Sequence, residues 1–206
     1  MEKTHKHNRL IRTLLLLTPF ILTGCSSTST DKQVLRNTAI TDFRGLTLGS
    51  SPVEDMYLHP SENKMLEKGH HRNKTYYRSN DALKFGDITV DEISYSYIDD
   101  KLYSININLE QDPYCHNAET LASALNKKYQ ASMKATAFPT GEHYWKAHFV
   151  NLELAVSCTN IFSGGKFFST SVHISEPLLY KVYEQYLDFV IREDKKSNTE
   201  KAASDL

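Results

Sequence analysis

Strict alternation of apolar and polar side chains over two adjoining segments constrains this fold more than any other feature of the chain. In ITVDEISYSYIDDKLYSININL, residues 88–109, Ile93, Tyr95 and Tyr97 recur at every second position. After Asp99-Asp100-Lys101 the rhythm resumes with Tyr103, Ile105, Ile107 and Leu109. Successive side chains of a strand point to opposite faces, so the pattern predicts a β-hairpin with one face available to a core.

The rest of the chain supplies partners for that hairpin. Ser50 or Ser51 as N-cap, Pro52 at the first helical position and acids at 54 and 55 predict a short helix from Pro52 to about Leu58. Residues 60–87 are polar and charged and read as a long irregular excursion. Asn117 is the expected cap of AETLASALNKKY, in which Leu121, Leu125 and Tyr129 share a helical face. Strands are expected at 143–150, 152–159 and 166–175, the last two joined by a turn at Gly164-Gly165. A final amphipathic helix begins at Pro177 and places Leu179, Val182, Tyr183, Tyr186 and Val190 on one stripe. The expected fold is therefore a single α+β domain, an antiparallel sheet in the order αββαβββα with its helices packed on one face.

The ends differ from this middle. MEKTHKHNRLIR carries Lys3, Lys6, Arg9 and Arg12 against Glu2 and precedes a ten-residue apolar run from Thr13 to Leu22. A membrane-spanning helix needs roughly 20 residues, and Pro19 interrupts this run, so it reads as a cleavable export signal. Its ending, Leu22-Thr23-Gly24-Cys25, resembles the lipobox of bacterial lipoproteins. That resemblance implies cleavage before Cys25, acylation of its thiol, and a stable membrane anchor once two or more chains are attached. Ser26, where an Asp would retain a lipoprotein at the inner membrane, implies by the same resemblance the outer membrane, with the domain facing the periplasm. The expected division is a signal peptide over 1–24, an anchor and flexible tether over 25–42, a globular domain over 43–192 and a disordered polar tail over 193–206.

With Cys25 consumed by lipid, Cys115 and Cys158 remain as an even pair in an oxidising compartment, and a disulfide between them is the expectation. Two buried free thiols are the plain alternative. A zinc site joining Cys115-His116 to Cys158 lacks a close CxxC or HxxxH ligand pair. Loss of residues 1–24 leaves 20 Lys+Arg against 24 Asp+Glu, so no nucleic-acid partner is expected.

Chemistry is sparse along the chain. No GxSxG elbow or P-loop spacing is present. Asp91-Glu92 and Asp99-Asp100 are adjacent on strands or in a turn, where neighbours diverge. His143 and His148 are five apart and fall on opposite faces of one strand, and His70-His71 reads as a solvated loop pair. Neither a cofactor nor a metal is expected. Aromatic residues are the better candidates for recognition, because they give large contact area at low entropic cost. Packing explains strand aromatics such as Tyr95, Tyr97 and Tyr144 equally well. The candidate partner-binding set is His70, His71, Arg72, Tyr76, Tyr77 and Trp145. GLTLGSS before a short helix, followed by a hairpin, resembles the small periplasmic modules of outer-membrane assembly lipoproteins and of protein inhibitors of β-lactamase. The expected function is a lipid-anchored, non-catalytic module that binds an envelope or secreted protein, as an inhibitor, an immunity protein or an assembly accessory. The competing expectation is a periplasmic hydrolase with dispersed catalytic groups.

Overall fold

In the computed structural model, residues 41–60, 71–109, 111–139, 141–160 and 168–204 are described. Cys25, the export signal, His70 and the Gly164-Gly165 turn lie outside them. One antiparallel sheet of eight strands dominates, in the spatial order β3-β4-β7-β8-β12-β11-β10-β9. Its strands are β3 (Met56–Leu58), β4 (Asn73–Arg78), β7 (Glu92–Ile98), β8 (Lys101–Leu109), β9 (Lys134–Ala137), β10 (His143–His148), β11 (Glu153–Asn160) and β12 (Phe168–Ser175). Two small hairpins, β1 (Thr41–Phe43) with β2 (Leu46–Thr47) and β5 (Lys84–Phe85) with β6 (Ile88–Thr89), lie outside that sheet. The helices are α1 (His116–Tyr129) and α2 (Pro177–Ser204). The molecule is thus a mixed α+β domain, and among the described residues no helix is long and apolar enough to cross a membrane.

The expected hairpin is β7-β8, closed by Asp99 and Asp100 with φ of 51° and 57°. Two left-handed residues in a two-residue loop match the right-handed twist of the flanking strands. Arg44-Gly45 closes β1-β2 in the same way, with φ of 54° and 79°. One sheet face carries Ile93, Tyr95, Tyr97, Ile105, Ile107 and Leu109, continued across the sheet by Val172, Ile174, Leu154, Val156 and Trp145, all buried. Leu121, Ala118 and Ala122 of α1 pack onto this face, together with Phe43 and Leu46 of the first hairpin.

The entry to α1 is set by Asp112 and not by Asn117. The buried Asp112 carboxylate accepts from the backbone N–H groups of Asn117 and Ala118, both at 2.8 Å, and from Thr170 Oγ1 at 2.6 Å. It satisfies two of the N–H groups that a helix start leaves without an intrahelical partner and ties them to β12. Beside it, Cys115 and Cys158 form the expected disulfide, with Cα atoms 5.7 Å apart.

Other elements differ from expectation. The helix predicted over Pro52–Leu58 is absent: a turn leads into β3, and Met56, Tyr57 and Leu58 pair with Arg78, Tyr77 and Tyr76. Cap signals act locally, and here sheet pairing outweighs them. The excursion expected over 60–87 contains β4, which pairs with β7, and it runs into the small hairpin β5-β6. An additional edge strand, β9, pairs with β10. Residues 193–204, expected as a tail, continue α2.

The helices do not share a face. Thr170 bonds the Asp112 cap of α1, whereas His173 meets the Tyr180 ring of α2 at 5.4 Å between centroids. These two residues of β12 are three apart, and odd separations along a strand face opposite ways. The sheet therefore lies between α1 on its apolar face and α2 on its polar one.

Candidate functional site

The polar members of the alternation form the second face of the sheet. Register places Ser94 beside Asn106, Ser96 beside Ser104, Asn106 beside His173 and Asn108 beside Ser171. Hydroxyls and amides thus occupy the rows where the opposite face carries isoleucine and tyrosine.

A bulge modifies this pattern at one point. Ser96 pairs with Ser104 and Tyr97 with Leu102, which leaves Tyr103 as an extra residue in β8. A bulge places two residues of one strand against one of its partner, and Tyr103 turns toward α2 instead of joining the apolar row expected from the alternation. Its ring stacks on Tyr183 at 4.8 Å and 19°, and its hydroxyl donates to Asn73 Oδ1 at 3.1 Å. The bulged strand also anchors the helix, since the Tyr103 carbonyl accepts from the Glu176 N–H at 2.9 Å. Glu176 in turn caps α2 by accepting from the Leu179 N–H.

Between α2 and the sheet opens a cleft of about 480 Å³. Asn73 and Thr75 of β4 line one side, and Ser96, Ser104 and Asn106 line the floor. His173 lies opposite, under Tyr180 and Tyr183. Ser104 Oγ is buried and has no hydrogen-bond partner among the described residues. Burial holds the His173 imidazole below its ordinary pKa of 6.5, with Glu153 pulling upward and Lys146 downward. Those two charges pair with each other at 2.7 Å, so they are compensated beside the cleft.

Away from the cleft, the polar face ends in two differently furnished margins. At one, Tyr77 donates to Glu92 Oε2 at 2.7 Å and packs beside Tyr57, which is 52% exposed, and His59. Burial, and then the bond to Glu92, push the Tyr77 phenol above its ordinary range. At the other, Glu153 joins Lys146 and His148.

The sequence-predicted candidates are not brought together. Trp145 is buried in the core and stacks on His143, and Tyr76 sets its ring edge-to-face on Tyr97 on that same apolar side. Arg72 forks onto Asp99, with Nε to Oδ1 at 2.8 Å, and lies over the Tyr186 ring. That fork raises the Arg72 pKa and lowers that of Asp99, in each case chiefly through the hydrogen bond. His71 is exposed near the turn, and among the described members of the set Tyr77 is the one on the polar face of the sheet. Ser104, Asn106, Tyr103 and His173 escaped sequence reasoning, although the serines and asparagines interleaved with apolar residues were the available signal.

Among the described residues no cluster of three or more His, Cys, Asp or Glu could hold a metal ion. Comparison with family models, with curated proteins and with solved structures yields no match.

Proposed function

We propose that this protein is a lipid-anchored envelope module that binds another envelope or secreted protein without catalysis, using the polar face of its sheet. The observation that carries this reading is the asymmetry of the sheet. One face is committed to the core, and the other carries partly exposed Asn108, Ser171 and Ser157 where the described residues place no helix against it. An edge of aromatic residues, with Tyr57 half exposed, borders this surface and supplies contact area of the kind found in interfaces. Acyl chains on Cys25 hold the domain at the outer membrane, facing the periplasm.

Two measurements test the reading. Cys25→Ser releases the protein from the membrane fraction, and persistence there overturns the anchor. Capture from solubilised envelopes with the domain on its own tether yields a stoichiometric partner, and Asn108→Arg with Ser157→Arg abolishes capture at unchanged melting temperature. A partner indifferent to these substitutions overturns the face, and the absence of any partner overturns the binding module.

A further inference from the structure

We infer that the cleft between α2 and the sheet is a binding site for a neutral saccharide, separate from the docking of any protein partner. Its volume of about 480 Å³ falls within the range of small-molecule sites, roughly 300–1,000 Å³. Most such sites are apolar with a few polar groups, whereas this cleft is floored by hydroxyls and amides. Serine and threonine hydroxyls both donate and accept, and so do asparagine amides and a neutral imidazole. Those groups complement a ligand whose own groups are hydroxyls.

Charge narrows the class. Among the described residues no carboxylate, ammonium or guanidinium lines the cleft. The two ions that act on His173, Lys146 and Glu153, pair with each other, and Glu184, which acts on Tyr180, is exposed on α2. A phosphate, a carboxylate or a cation would therefore leave water without compensation. A neutral sugar ring loses far less.

Aromatic rings form the other wall. Tyr180 and Tyr183 are partly exposed, packed at 5.8 Å and 58°, and border the polar floor with little free ring surface, since Tyr183 stacks on Tyr103. A sugar's ring of hydroxyls matches the polar floor of such a site. A peptide is a poorer fit. The floor strands β7, β8 and β12 are each paired on both sides, so they offer no strand edge to a peptide backbone.

Ser104 is the independent sign of an unmet need. Buried hydroxyls are nearly always bonded, and leaving one without a partner is costly. Ser104 Oγ has no partner among the described residues, and its residue lines the floor of the cleft.

The test uses the domain alone and so does not depend on any protein partner. Glucose, galactose, N-acetylglucosamine and its dimer are titrated against the labelled domain by amide NMR and calorimetry, with inorganic phosphate and acetate as charged controls. At least one neutral sugar is expected to saturate, shifting amides of β8, β12 and the first turns of α2, while the anions do not. Ser104→Ala should weaken that sugar about 2- to 12-fold, the loss of one neutral hydrogen bond, without lowering the melting temperature. Asn106→Leu, at a half-buried position, should weaken it further. Failure of every sugar, shifts confined to other surfaces, equal binding of the anions, or a Ser104→Ala variant with unchanged affinity would each overturn the assignment.

Discussion

His173 shows how a single side chain reports the environment of the polar face. Desolvation disfavours its imidazolium, so its folded pKa lies below the 6.5 of the unfolded chain. As pH falls through about 6.5 the unfolded state takes up the proton first. Stability supplied by the neutral imidazole is therefore complete above that pH, and it declines until the lower folded value is reached. Glu153 moderates the decline and Lys146 sharpens it. We expect the His173 ring protons to titrate below 6.5 by NMR, and His173→Gln to flatten the acid side of the stability profile. A midpoint at or above 6.5 would show that the ring under Tyr180 is well solvated. None of this was legible from sequence, where His173 is one strand histidine among several. Its place beside Asn106 and beneath α2 depends on strand order and on the bulge at Tyr103, and neither is encoded in local periodicity.

Elements were legible where burial imposed a period, and obscure where it did not. The β7-β8 hairpin, α1 and the strands expected from 152 and 166 each bury apolar rows and announced themselves. By contrast, β4 reads NKTYYR and is intermediate in burial throughout, while β9 reads KATA and is exposed at every position. A strand with little to bury has no alternation to detect, and an edge strand bearing Lys134 suits a sheet margin that must resist further pairing. The same rule governs α2. Its apolar stripe ends at Val190, the one buried residue of the helix, while residues 191–204 are exposed throughout. The final turns persist on helix-favouring Lys, Glu and Ala, beyond the point where packing leaves a periodic trace. Ending the chain after Arg192 should therefore leave the melting temperature within about 2 °C, because surface changes of this kind are worth within about 0.5 kcal/mol. Helical ellipticity should drop in proportion to the residues removed. A marked fall in melting temperature would reveal a packing role that the exposure of these turns does not suggest.

For the whole molecule, the decisive question is whether two helices on opposite sides of one sheet unfold together. The apolar face, α1 and the first hairpin form one continuous core, and the Cys115–Cys158 disulfide ties the start of α1 to β11. Closing 43 positions of chain contributes about 4 kcal/mol in the chain-entropy model. That is a large share of the roughly 5–15 kcal/mol that holds a domain together. Replacing both residues, as Cys115→Ala with Cys158→Ala, should lower the denaturation midpoint by a corresponding amount. It should also steepen the denaturant dependence, since an uncrosslinked unfolded chain exposes more surface. Trp145, the one tryptophan of the chain, is buried on the core face of β10 and reports on the packing of the sheet. Its fluorescence and the far-ultraviolet ellipticity should move through a single coincident transition, in the double variant as in the parent. If the fluorescence transition instead stays in place while ellipticity is lost early, the disulfide secures only the helix. The polar face would then rest on a sheet that folds without it.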